Sequence, residues 1–212
     1  MAVQCRAPRA AVAQLPTFEA GANSLAIQLG AASPLETNRF DKGVRNGRAA
    51  RIQFLHFALD WIAWGFDFGY SKFARRVQGE NTQLLLPIPP ATELGLQADV
   101  LQISALARVN LVSDRPWTPY LLGAVGLHEF SAKADWVPPV NPAETRSRQE
   151  ASSRGMSASG AAGLEGFVMK NISLSFEARF DSLQLSRRRF TLSPVESMSY
   201  LVGFRYWFGY RR

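Results

Sequence analysis

The sequence predicts an all-β fold: an eight-stranded antiparallel up-and-down barrel that crosses a membrane. Three observations point there. Apolar and polar residues alternate strictly along much of the chain, the period of strands with two unlike faces. Long connections alternate with short ones, as in a meander whose two ends differ. The polar faces are built from Gly, Ser, Ala and charges of both signs, not from the Lys, Glu, Thr and Gln of a solvated surface.

The elements follow in chain order. Leu25–Ala31 sets Leu25, Ile27, Leu29 and Ala31 against Ala26, Gln28 and Gly30. Arg51–Asp60 groups Leu55, Phe57 and Leu59 on one face and His56, Ala58 and Asp60 on the other. Ile62–Ser71 sets Ile62, Trp64, Phe66, Phe68 and Tyr70 against Ala63, Gly65, Asp67, Gly69 and Ser71. Val100–Leu111 opposes Leu101, Ile103, Ala105, Ala107, Val109 and Leu111 to Gln102, Ser104, Arg108 and Asn110, with Leu106 out of pattern. Tyr120–Phe130 and Gly155–Val168 are rich in Gly and Ala, so their facing stays open, though Leu164 and Val168 oppose Glu165. Ile172–Asp181 is the clearest strand: Ile172, Leu174, Phe176, Ala178 and Phe180 face away from Ser173, Ser175, Glu177, Arg179 and Asp181. Met198–Tyr210 repeats that design, with Leu201 and Trp207 as exceptions on its polar face.

Long connections are expected near residues 32–50, 72–95, 131–155 and 182–196, and short ones near 60–62, 112–118 and 169–171. Ser113 to Pro116 and Lys170-Asn171 are turns by composition. Residues 21–212 read as the barrel and residues 1–20 as a separate N-terminal segment. Met1–Pro16 carries Arg6, Arg9 and an Ala11-Val12-Ala13 stretch like a signal cleavage site, but almost no apolar run between them. It reads as a signal-peptide remnant whose start lies upstream, or as a disordered tail.

The composition agrees with a single domain. The 212 residues are 47% hydrophobic and 19% charged, with a net charge of +7, which excludes a disordered chain. The lone Cys5 excludes a disulfide framework and a cysteine zinc site. No apolar run reaches the roughly 18 residues a transmembrane helix needs. The mean hydropathy of -0.09 is that of a soluble protein, yet two opposed faces, one for lipid and one polar, average to the same value. Twenty of the 24 basic residues are Arg, the side chain that forks onto phosphate and carboxylate. No basic helix or aromatic-interleaved stripe suggests nucleic acid.

Periodicity alone does not say which way the faces point. In a soluble lipocalin-like barrel the apolar face lines an internal cavity; in a transmembrane barrel it meets lipid. Small residues and Arg–carboxylate pairs suit the narrow interior of eight strands. Trp64, Phe68, Tyr70, Tyr200, Tyr206, Phe208 and Tyr210 lie near strand ends, where aromatic girdles form. The transmembrane reading is therefore preferred, and the soluble binder of apolar ligands is the alternative.

Three segments carry a resemblance. Trp117 to Gly126, WTPYLLGAVG, is similar to the fifth strand of OmpA/OmpX/OmpW-like outer-membrane barrels. Lys170 to Phe180, KNISLSFEARF, resembles their third turn and seventh strand, and Leu201 to Phe208, LVGFRYWF, their last strand. The resemblance covers about residues 22–210 and marks a superfamily. It implies the cell outer membrane, contact with its lipid and lipopolysaccharide, and handling by the barrel-assembly machinery, which reads a near-terminal aromatic. Here Gly209 to Arg212 follow that aromatic, and no peptidoglycan-binding domain follows the strand, so wall anchoring is not implied. A monomer is expected.

The chemistry points away from catalysis. His56 and His128 have no metal-ligand spacing around them and are expected as hydrogen-bonded filler of the lumen. No G-x-S-x-G, phosphate loop or dinucleotide fingerprint occurs, and His128-Glu129-Phe130 does not match the lipid A deacylase motif. No cofactor and no metal are expected. The better-grounded group is an internal charge network of Asp67, Arg108, Glu165, Glu177, Arg179 and Arg205, since unpaired charges inside a barrel are costly. Such a network closes the lumen; a narrow channel for small solutes is the competing reading. The long connections hold fourteen Lys/Arg and eight Asp/Glu. Arg45, Arg48, Arg75, Arg76, Arg146, Arg148, Arg187, Arg188 and Arg189 are the candidates there for contacting anionic lipid.

Overall fold

The computed structural model describes residues 17–35, 44–78, 93–137, 147–185 and 194–209. Eight strands form one closed antiparallel barrel: β1 (Asn23–Pro34), β2 (Gly47–Leu59), β3 (Ile62–Gln78), β4 (Glu93–Asn110), β5 (Trp117–Val137), β6 (Ser147–Met169), β7 (Ile172–Leu183) and β8 (Val195–Phe208). Each strand pairs with its sequence neighbours, and β1 closes on β8 from Asn23↔Phe208 to Pro34↔Ser197. Closure leaves no sheet edge, the condition for crossing a bilayer with strands. Strands β2 and β3 are joined by two residues, as are β6 and β7, and β4 and β5 by six.

The apolar faces point outward. Leu25, Ile27 and Leu29, Trp64, Phe66 and Phe68, Leu121, Val125 and Leu127, and Val202, Phe204 and Tyr206 are all exposed. Their polar alternates are buried: Gln28, Asp67, Ser104, Arg108, Ser175, Glu177, Arg179 and Arg205 among them. A belt of this kind is stable only in lipid. The alternative of a soluble barrel lined by its apolar faces is thereby overturned.

On β2 the expected face grouping is present, but Leu55 and Phe57 point inward, together with Arg51 and Gln53. Ile52, Phe54, His56 and Ala58 form the lipid side. A register shift between Phe57 and Leu59 turns Leu59 out beside the tight turn. The facing of the two Gly/Ala-rich strands is also resolved. Leu122, Ala124, His128 and Phe130 of β5 and Ser153, Ser157, Glu165 and Phe167 of β6 point inward.

The strands on the long-connection side run further than their apolar alternation. Strand β5 has 21 residues against an expected eleven, and β6 has 23. At about 3.3 Å per residue β5 measures about 70 Å, or about 50 Å along a barrel axis tilted by some 45°, twice the roughly 25 Å apolar band. Its outward apolar residues end at Leu127; Glu129, Lys133 and Asp135 follow on the same face. The ladder continues past the lipid because backbone pairing does not need an apolar face.

Candidate functional site

Eight charged side chains meet inside the barrel at the height of the apolar belt: Arg51, Arg108, Arg179 and Arg205 with Asp67, Glu165, Glu177 and Asp181. None is more than 3% exposed. Alternation puts each of them on the inward side of its strand, and closure brings β2, β3, β4, β6, β7 and β8 round one axis.

They fall into two groups. In the first, Arg51 Nη1 donates to Asp67 Oδ2 at 2.7 Å, and its Nη2 to Asp181 Oδ2 at 2.8 Å and Gln102 Oε1 at 3.0 Å. Arg179 Nη2 reaches the same Asp67 oxygen at 2.8 Å, and its Nε lies 3.4 Å from Asp181 Oδ1. Ser159 Oγ donates to Asp181 at 2.6 Å. Glu177 lies 3.7 Å from Arg179 Nη1 and accepts from the Tyr120 hydroxyl at 2.8 Å.

In the second group Glu165 takes two guanidiniums. Arg108 Nη1 and the Ser173 hydroxyl donate to it, and Arg205 Nε lies 3.1 Å from its Oε1. Arg205 also donates to Ser24 Oγ at 3.2 Å and Gln53 Oε1 at 3.0 Å, and Arg108 to Asn110 Oδ1 at 2.8 Å. Tyr120 joins the groups: its hydroxyl holds Glu177 while the Arg108 guanidinium stands 3.8 Å over its ring. Gly163 makes room for that ring, since a Cβ there would lie 2.4 Å from Tyr120 Cζ.

Apolar clusters lie on both sides. Toward the tight turns, Phe18, Phe57, Phe167 and Trp207 pack with ring centroids 5.0–6.4 Å apart, and Trp207 Nε1 donates to Ser173 Oγ at 2.7 Å. Phe18 precedes the expected domain boundary at residue 21 and is nonetheless buried here. Toward the long connections, Val44, Phe73, Leu96, Val100, Phe130, Leu183 and Leu185 are buried together.

All six residues of the anticipated network are thus inside. Two members were missed. Arg51 opens the expected strand Arg51–Asp60 with the parity of Leu55 and Phe57, a face that is known as inward only once Ile52 and Phe54 are recognised as lipid-facing. Asp181 shares the face of Arg179 and Glu177, so parity alone places it. The expectation that both histidines enter the lumen fails for His56, which points outward, against Asn23 Oδ1 at 2.9 Å and the Trp64 ring; His128 is buried inside. Among the described residues no cluster of side chains is arranged to hold a metal.

The basic candidates outside the lumen are placed differently from the expectation. Arg45 precedes β2 and is exposed, but Arg48 lies on β2, Arg75 and Arg76 on β3 and Arg148 on β6, because those strands outrun their apolar alternation. Arg148 pairs with Glu150 at 2.8 Å and lies 3.6 Å from Asp135. Arg146, Arg187, Arg188, Arg189 and the expected signal-peptide remnant Met1–Pro16 lie outside the described residues.

No protein-family model and no curated protein matches the chain. Solved structures do. Ail, the attachment invasion locus protein of Yersinia pestis, is 16% identical, with a TM-score of 0.51 over 89% of this chain and 99% of that one. Neisserial surface protein A is 19% identical, with a TM-score of 0.49 over 88% and 97%. OprG of Pseudomonas aeruginosa is 13% identical, with a TM-score of 0.49 over 93% and 100%. At these identities the likeness concerns the fold alone, the closed eight-stranded antiparallel barrel. With that fold and its outward apolar belt, the chain is a barrel built to cross a membrane.

Proposed function

We propose that this barrel serves as a structural and surface-interaction protein with a closed lumen, and that its basic long-connection end contacts lipopolysaccharide or other anionic surfaces. It acts without catalysis, as a monomer, and its assembly uses the near-terminal aromatic Phe208. The observation that carries the closed lumen is the balance of four buried arginines by four buried carboxylates between two apolar clusters. Eight strands leave an interior only wide enough for side chains to fill. A path for ions would have to part these buried ion pairs, at a cost of several kcal/mol per charge. Planar-bilayer recording of the refolded chain tests it: silence is expected, and a stable large conductance would establish the channel instead. The surface reading rests on the arginines of the long connections. Reversing Arg187, Arg188 and Arg189 to Glu should weaken binding to vesicles containing lipopolysaccharide; unchanged, salt-independent binding removes that reading.

A further inference from the structure

Among the described cations on the outward face of the barrel, those of β5 and β6 have carboxylate partners. Arg154 has Glu129 at 3.2 Å, Lys133 has Glu150 at 3.6 Å, and Arg148 has Glu150 and Asp135. On the opposite side the pattern breaks. Arg48 of β2 and Lys72 of β3 stand directly across from each other in the ladder, both exposed, with no carboxylate among the described residues on either. Two like charges in that position destabilise the pair unless an anion joins them. The nearest carboxylate by register is Asp99, opposite Lys72 on β4. Its oxygens accept instead from the Tyr70 hydroxyl at 2.8 Å and from Gln97 Nε2 at 2.7 Å, and it forms no ion pair with Lys72.

One rung toward the membrane, the same three strands carry Leu29, Ala50 and Tyr70 in register. The small Ala50 between two large side chains leaves a groove of about 810 Å³ on the outer wall, with Arg48 and Lys72 at its polar end. Below it the wall continues as Ile27, Ile52 and Phe68, all exposed to lipid. The groove is therefore apolar where acyl chains run and doubly cationic where headgroups begin.

We propose that this groove on β1 to β3 binds one phosphate-bearing acylated lipid of the leaflet facing the long connections. An acyl chain lies between Leu29 and Tyr70 over Ala50, and the phosphate bridges Arg48 and Lys72. The inference deepens the anionic-surface reading above and rests on it, but it assigns the contact to the barrel wall rather than to the connections. A guanidinium and an ammonium converging on one phosphate give it charge-assisted hydrogen bonds that a neutral headgroup lacks.

The test uses the full chain in phosphatidylcholine nanodiscs doped with lipid A or with its dephosphorylated form, read by native mass spectrometry. One lipid A is expected to stay bound, and the dephosphorylated form is not. R48Q/K72Q should weaken the affinity about thirtyfold, the loss for two surface cations near a membrane, and shift the lipid A titration accordingly. A50F, which fills the groove and leaves both charges, should also release the lipid. K133Q/R154Q should retain it. Heat-modifiable migration on a denaturing gel verifies that each variant is folded. Equal retention by wild type and R48Q/K72Q overturns the site, as does a dimer that A50F dissociates, which would make the groove a contact between copies. Loss of vesicle binding in the Arg187–Arg189 reversal with lipid A still held in nanodiscs separates the two readings: the connections then bind surfaces and the groove binds its lipid.

Discussion

Neutralising Glu165 should damage the barrel far more than neutralising Glu177, although both are buried carboxylates of one network. Among the described residues Glu165 is the single carboxylate that forms ion pairs with Arg108 and Arg205. Glu165→Gln leaves two guanidiniums buried with only neutral partners, Asn110, Ser24 and Gln53. Breaking a buried pair from one side costs about 3–5 kcal/mol. Glu177 sits in the other group, where Asp67 and Asp181 still balance Arg51 and Arg179 after it is neutralised. Glu177→Gln weakens its bonds from Tyr120 and Gln28, a loss of about 1 kcal/mol. The assay is urea unfolding of the barrel in lipid vesicles, followed by tryptophan emission. With a slope of about 2 kcal/mol/M, the midpoint should fall by about 2 M for Glu165→Gln and about 0.5 M for Glu177→Gln. Adding Arg108→Gln to Glu165→Gln removes the excess charge and should recover part of the loss. Equal small shifts for the two single variants would mean that water reaches these groups, and the argument from buried charge would be wrong.

Further outcomes follow from the same contacts. Tyr120→Phe keeps the ring under Arg108 but loses the bond to Glu177, so it should cost about 1 kcal/mol in the urea assay, whereas Tyr120→Ala should cost about 3–5 kcal/mol. Trp207→Ala removes the centre of the aromatic cluster and should also cost about 3–5 kcal/mol. Planar bilayers should nevertheless stay silent for that variant, because the charge network is intact; large openings would locate the barrier to ions at the aromatic end. Trp64 is exposed on the lipid wall and Trp207 is fully buried. In vesicles of brominated lipid, Trp64→Phe should lower the quenchable share of the emission and Trp207→Phe should raise it; the opposite order would invert the facing of the strands.

The lipid-facing pattern was legible wherever a strand has one wholly apolar and one wholly polar face, as in β7 and β8. It failed on β2 because the aromatic cluster near the tight turns is inside the barrel: Leu55 and Phe57 are apolar and inward, so hydrophobicity no longer marks the lipid side there. Arg51 was lost with that misreading. Its parity with Gln53, and the opposite parity of Ile52 and Phe54, is the signal that finds it. The partners of each charge are a different matter. Arg51 meets Asp181 across 130 positions of sequence, and Arg179 meets Asp67 across 112. Such pairs depend on the shear of the closed barrel, which no local pattern encodes. The juxtaposition of Arg48 and Lys72 is likewise visible only once the ladder register is known.

The ambiguous facing of β5 has a physical cause that also fixes the fold. From Trp117 to Leu127 its outward side is apolar and its inward side carries Thr118, Tyr120, Leu122 and Ala124. From Glu129 onward the outward side inverts from apolar to charged: Glu129, Lys133 and Asp135 point out, while Phe130, Ala132 and Ala134 continue the largely apolar inward side. One strand is thus a membrane barrel in its first half and a water-facing barrel in its second. The inversion follows from the change of solvent outside, lipid then water, and keeps the outward side matched to its surroundings at each height. A register slip of β5 by one residue would turn Leu121, Val125 and Leu127 into the lumen and Thr118 and His128 toward lipid. It would at the same height as Glu129 and Lys133 put those charges into the apolar interior. Because both halves penalise the same slip, the long strands hold the register of the short ones, and the charge network meets its partners as a consequence of that register.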